Sequence, residues 1–306
     1  MLRRMETRRL GRTQHSSSVA ILGGAVFFNA TPESAESTFR DALERGVNHL
    51  DIAPGYGLAE RALGPHIPAV RDRLFVAGKT GETQREKAWR RLEKTLERLQ
   101  VDQLDLYQAH GVTSVDNLDS RDEAFEVILA ARDRGLTRFV GITGHDLGAP
   151  RAHLEAVRRY DLDTVMFPVY PRVWADPNYR ADAEALIEEC AARNVGVMVI
   201  KAVARRPWAD RQPDTASWYE PFRKAEDVAR GVHFALSTPG VHAFCTPSSP
   251  DVLPLALDAA ASYQALADAA RTDAMREVAD DPLIFPLQEN IPSSPGERIF
   301  GSRPSR

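Results

Sequence analysis

The stretch VNHLDIAPGYGLAERALG, residues 47–64, decides the reading of this chain. Its apolar run ends in a carboxylate, Asp51, inside what reads as a buried strand. A buried carboxylate is costly unless something pairs with it. Tyr56 follows five residues later in a turn rich in glycine and proline, and a short helical stretch, LAERALG, comes next. Strand, turn and helix in that order make one βα unit.

The same order recurs on both sides. VAILGG (19–24) precedes PESAESTFRDALERG (32–46), in which Thr31 stands as the N-cap candidate, Glu33 and Glu36 lie early and Gly46 marks the stop. RLFVAGK (73–79) precedes TQREKAWRRLEKTLERLQ (83–100), and LDLYQAH (104–110) precedes RDEAFEVILAARDRG (121–135). RFVGIT, TVMFPV, GVMVIKA and VHAFCT then alternate with APRAHLEAVRRY, YRADAEALIEECAARN, YEPFRKAEDVARGVHFALS and PDVLPLALDAAASYQALADAA. Helical periodicity is clearest at 83–99, where Trp89, Leu92, Leu96 and Leu99 recur on one face and charged residues fill the other.

Near-continuous apolar strands separated by helices predict a parallel sheet covered by helices, and eight units close an α/β (β/α)8 TIM barrel. An open doubly wound sheet is the competitor, weakened because no GxGxxG follows any strand. No linker or longer repeat breaks the chain, so a single domain over 1–280 is expected. The segment 281–306, rich in proline, serine and glycine, reads as an irregular tail in which PLIFPL is placed to pack across the barrel mouth.

Composition bounds the function. The chain has 306 residues, 43% hydrophobic and 27% charged, enough to bury a large core. Its 39 basic and 43 acidic residues are scattered, giving a net charge of -4 and no basic face for a phosphate backbone, so nucleic acid is not an expected partner. The basic leader MLRRMETRRLGR has no apolar run after it, and no stretch is long enough to cross a bilayer, so a cytoplasmic protein is expected. Cys190 and Cys245 stand far apart without metal-ligand spacing, which predicts buried thiols and no metal site. Oligomeric state is not legible.

In such a barrel, reacting groups come from the C-terminal strand ends. Strand two ends in Asp51 with Tyr56 in its loop, strand three in Lys79 and strand four in His110. A tyrosine has an ordinary pKa near ~10, and an adjacent ammonium lowers it by favouring the phenolate. Lys79 is the candidate ammonium, Asp51 the carboxylate that keeps it charged, and His110 the group that orients a substrate carbonyl or tunes the phenol.

GVNHLDIAPGYGLAERALG, the lysine of LFVAGKTG and the histidine of VDQLDLYQAHGV together resemble the aldo-keto reductase family, in residue order and in spacing, and the order of units agrees over roughly 6–262. The resemblance implies a nicotinamide cofactor across the barrel mouth, hydride transfer to the carbonyl carbon of a small aldehyde or ketone, or the reverse from an alcohol, and proton delivery by Tyr56. It makes Lys79 the activator, Asp51 its partner and His110 the orienting group.

The cofactor contacts depart from the family pattern. Where a Ser-Asn pair usually holds the carboxamide, Thr143 and Gly144 stand, with His145 beside them. After strand six, Met166 and Tyr170 flank the place of the usual glutamine, and after strand seven Lys201 stands near the usual stacking tyrosine. Between Gly231 and Ala270 there is no arginine or lysine to grip a 2'-phosphate, although Ser248, Ser249 and a helix N-terminus offer hydroxyls and N–H groups. NADP(H) is the family expectation and NAD(H) the alternative. Trp174, Trp208, Trp218 and Tyr219 are candidates for an apolar pocket wall, core packing being the alternative for each. A cofactor-binding sensor, or a non-redox acid–base enzyme on the same barrel, stays open at this stage.

Overall fold

The computed structural model describes residues 5–208 and 217–286. Eight parallel strands close into a barrel: β1 (Ala20–Gly23), β2 (His49–Asp51), β3 (Phe75–Thr80), β4 (Leu104–Ala109), β5 (Thr137–Thr143), β6 (Thr164–Pro168), β7 (Gly196–Ile200) and β8 (Ala243–Cys245), with β8 paired to both β7 and β1. Each is followed by a helix of the outer ring: α1 (Pro32–Glu44), α2 (Ala59–Leu63), α3 (Arg85–Leu99), α4 (Asp122–Asp133), α5 (Ala149–Arg159), α6 (Pro177–Ala192), α7 (Ala225–Leu236) and α8 (Leu253–Ala261). This is the (β/α)8 architecture.

Two apolar clusters hold it. One lies inside the barrel and contains Leu10, Ile21, Phe75, Ala77, Leu106, Met166 and Met198. The other lies between strands and helices. Side chains alternate along a strand, so Phe75 and Ala77 on β3 and Leu106 on β4 send Lys79 and Gln108 to the same interior, one step higher. Ala77 pairs with Asp51 in register, and its small side chain lets Lys79 reach back to that carboxylate.

Local chemistry starts and stops these elements. Thr31 caps α1, accepting from the Ser34 backbone N–H while the Ser34 hydroxyl accepts from Thr31 N at 2.9 Å, a box worth about 1 kcal/mol. At the barrel bottom, the Asp105 carboxylate accepts from Val76 N at 2.8 Å and that of Asp163 from Val140 N at 2.9 Å, each tying one strand to the next.

Two expectations need correction, and one element comes unannounced. Thr7–Arg9, within the basic leader, pairs with Ser16–Ser18 in a hairpin whose turn plugs the barrel bottom with fully buried Leu10. YEPFRKAEDVARGVHFALS is not helical from its start: Tyr219–Pro221 pairs with Ala204–Pro207, and α7 begins at Ala225. The last predicted helix breaks in two, α8 ending at Ala261 and a separate helix running over Asp268–Glu277. Of the tail, Ile284 and Phe285 are buried, whereas 287–306 lies outside the described residues.

Candidate active site

Asp51 ends β2, Lys79 is the penultimate residue of β3, and His110 directly follows β4. Lys79 Nζ donates to Asp51 Oδ2, both side chains being 2% exposed, and lies 3.5 Å from the Ile52 carbonyl oxygen. Gln108 Nε2 donates to Asp51 Oδ1 at 3.2 Å, and Cys245 Sγ donates to Oδ2 at 3.8 Å. The carboxylate that looked costly is therefore satisfied on both oxygens.

Tyr56 is half-buried in the loop after β2, with Lys79 Nζ 5.2 Å from its ring centroid. Its ring meets that of His110 edge-on, centroids 6.0 Å apart. The His110 backbone is fixed by its N–H donating to Thr80 O at 2.8 Å and by Arg121 Nη1 donating to its carbonyl at 3.1 Å. His145 follows, 6.0 Å from His110 between ring centroids. The four residues named from the strand ends thus converge.

The electrostatics differ from expectation at Tyr56. Burial pushes the phenol up to about 12, while the Lys79 ammonium and its hydrogen bond pull it down without prevailing. Lys79 is raised: burial, the largest single influence, opposes its charge, but Asp51, Tyr56 and Cys245 together outweigh it. His110 and His145 fall well below the ordinary imidazole value, first through burial and then through the lysines, so both are neutral at pH 7. Burial brings Lys201 down to about 7.

One cavity of about 640 Å³, its open mouth included, is lined by Asp51, Tyr56, Lys79 and His110 and also by Thr143, His145, Met166, Lys201 and Ser248. Thr143 Oγ1 is buried without a hydrogen-bond partner among the described residues. Lys201 takes φ +71, a left-handed backbone that costs a residue with a side chain on the order of 1–3 kcal/mol, and its Nζ sits 4.5 Å from the Trp218 ring centroid and 5.0 Å from that of Tyr219. Two of the named residues stand apart. Tyr170 is fully buried in the outer cluster, because the chain leaves β6 at Pro168 and turns into a short helix, Pro171–Trp174. Ser249 is buried and donates to Asp251 Oδ1 at 2.5 Å. Neither lines the cavity.

Of the aromatic wall candidates, Trp218 and Tyr219 line the cavity, whereas Trp174 is core and the Trp208 indole donates to Ser217 O at 2.8 Å. Sequence reasoning missed Gln108, legible in hindsight from its place two residues before His110 on β4, and Arg121, for which no sequence signal exists. It also took Cys245 for a structural thiol. Cys190 is one, fully buried in α6, but Cys245 lines the cavity against Asp51.

Fold and site together define a (β/α)8 protein with a tyrosine, lysine, histidine and aspartate set at the C-terminal mouth. The aldo/keto reductase family profile matches residues 20–279, and the chain belongs to that family. Among characterised relatives, an L-galactose dehydrogenase from Arabidopsis thaliana is 31% identical over 180 residues, 53% of this chain and 56% of that protein. A methylglyoxal reductase from Salmonella typhimurium is 28% identical over 134 residues, covering 43% and 47%. The chain matches about half the length of these relatives. Among solved structures, an aldo-keto reductase from Bacillus halodurans has a TM-score of 0.68 at 21% identity, covering 90% of this chain and 96% of that one, which is a likeness of fold.

Among the described residues no helix is long and apolar enough to cross a membrane, and no cluster of metal-ligating side chains occurs.

Proposed function

We propose that this chain is a nicotinamide-dependent oxidoreductase that reduces a small aldehyde or ketone, or oxidises the alcohol, with Tyr56 as general acid. The observation that carries the reading is the convergence of Asp51, Lys79, Tyr56 and His110 in one cavity at the barrel mouth. The orphaned Thr143 hydroxyl beside His145 suits a carboxamide, which both donates and accepts hydrogen bonds. Met166 and Ser248 complete the proposed cofactor wall, and Lys201 stands at its edge.

A reduced nicotinamide, when bound, supplies a hydride to the carbonyl carbon. Tyr56 gives its phenolic proton to the carbonyl oxygen. Lys79 stabilises the phenolate left behind, and Asp51, held by Gln108, keeps Lys79 charged and in place. Neutral His110 donates a hydrogen bond to the same oxygen and fixes its position.

NADP(H) is the proposed cofactor and NAD(H) the alternative, since no arginine or lysine lies between Gly231 and Ala270. The names of the relatives, a sugar dehydrogenase and a methylglyoxal reductase, support small carbonyl or alcohol substrates rather than a nucleic acid. Free thiols at Cys190 and Cys245 suit a reducing cytoplasm. We assign the barrel to residues 1–280, with 281–306 as an appended tail. Purified protein is expected to oxidise NADPH or NADH when given aldehydes, and the preferred dinucleotide to raise its melting temperature by mass action. Cofactor binding without turnover over a broad carbonyl panel would favour a sensor, and neither binding nor turnover would contradict the assignment.

A further inference from the structure

Arg121 is a buried charge that the barrel alone does not require. It directly precedes α4 and is 8% exposed, and among the described residues no carboxylate pairs with it. Its acceptors are all neutral: Nη1 donates to Gly81 O at 3.2 Å and to His110 O at 3.1 Å, and Nε donates to Asn117 Oδ1 at 3.2 Å. A guanidinium stays charged when buried, so this arrangement carries a desolvation cost that no counter-ion offsets. Local rules are broken in that way chiefly at functional sites.

The two carbonyls locate the need. β3 and β4 pair through Lys79 with Gln108 and Thr80 with Ala109, and the last bond of the ladder runs from His110 N to Thr80 O. One step on, Gly111 takes φ +75 and the chain turns away from the partner strand. Arg121 Nη1 takes the carbonyls of Gly81 and His110 at that point and so extends the ladder beyond its last backbone bond. Gly81 lies two residues past Lys79, so the same nitrogen ties the exits of the strands that carry Lys79 and His110. The arginine is itself anchored. Its N–H donates to Leu118 O at 3.0 Å and its carbonyl accepts from Phe125 N at 3.0 Å. Asn117 is held in turn, its N–H donating to Ser114 Oγ at 3.1 Å and its Oδ1 accepting from Thr113 N at 3.4 Å.

Resting on the proposed reductase reading, we propose that Arg121 is a positioning residue that acts through His110, clamping the exits of β3 and β4 so that the imidazole meets the substrate oxygen in fixed register with Lys79. Its charge adds a second effect. The groups that face His110 are Tyr56 from the loop after β2, Lys79 from β3, His145 from the loop after β5, Lys201 from the end of β7 and Arg121 from before α4. Burial sets the imidazole well below its ordinary value, and Lys79, Arg121 and Lys201 lower it further. Removing the Arg121 charge therefore raises His110 towards the ordinary value. The neutral donor form is then lost at a higher pH than in wild type as pH falls.

The test follows the His110 titration by NMR of histidine-labelled protein, its resonance assigned with His110→Asn, beside kcat/KM for 4-nitrobenzaldehyde and dinucleotide affinity by fluorescence. Arg121→Met is expected to titrate His110 at a higher pH than wild type. It should lose about 3- to 10-fold in kcat/KM, the worth of a neutral hydrogen bond, with dinucleotide affinity unchanged. Arg121→Lys keeps the charge without the planar fork, so it should keep the wild-type titration and still lose rate. In a His110→Asn background Arg121→Met should cost no further rate, because the two residues act as one unit. Wild-type titration and rate in Arg121→Met overturn the inference and leave the reductase reading standing. An equal loss with and without His110 overturns it too, making Arg121 a structural brace. If Arg121→Met does not fold, Arg121→Lys decides, and wild-type rate there overturns the clamp. A wild type that reduces neither 4-nitrobenzaldehyde nor any other aldehyde would remove the reading on which the inference rests.

Discussion

Asp51 shows how one residue links stability to chemistry. Its carboxylate is tolerable inside the barrel because Lys79, Gln108 and Cys245 meet it there. Removing one partner of a buried ion pair leaves the other charge uncompensated and costs about 3–5 kcal/mol. Asp51→Ala is therefore expected to destabilise the protein by about that amount in denaturant unfolding, and adding Lys79→Met to recover most of the loss. A single variant that costs under about 1 kcal/mol would contradict the pairing. At the same scale, Tyr56 departs from what its spacing to Lys79 suggests: a sequence shows that a cation is near, but not how dry the phenol is, and dryness prevails.

Among the elements, the N-terminal hairpin carries more of the fold than its composition announces. Gly11 takes φ +50, and a Cβ there would lie 2.4 Å from Gly196 N, so the turn closes the barrel bottom by backbone against backbone. Gly11→Ala is expected to cost about 3 kcal/mol, combining a left-handed backbone with overpacking. A melting temperature equal to wild type would refute that plug. The hairpin was illegible because Thr7–Arg9 and Ser16–Ser18 lack apolar alternation, and Leu10 alone signals burial. The helix read over 250–270 broke for a tertiary reason. Tyr263 stacks edge-on against His233, receives the Arg8 guanidinium over its ring and donates to Leu236 O at 3.2 Å, which draws the chain away after α8. By contrast the proline in YEPF was a visible objection to helix at 219–221.

For the whole molecule, the eightfold βα order was legible because barrel strands are buried on both faces and read as apolar runs, and the strand-end residues were legible because parallel strands deliver them to one rim. What escaped was a contact made by backbone direction after a strand ends: Tyr170 swings into the core with the Pro171–Trp174 helix. The central claim is that this rim is a proton-delivery site for carbonyl reduction. The most direct measurement is single-turnover reduction of an accepted aldehyde by Tyr56→Phe, beside dinucleotide affinity of the same preparation. General acid catalysis by a positioned side chain is worth about 10²- to 10⁴-fold, so the variant should lose that much rate while dinucleotide affinity changes little. Wild-type rate in Tyr56→Phe would contradict the account.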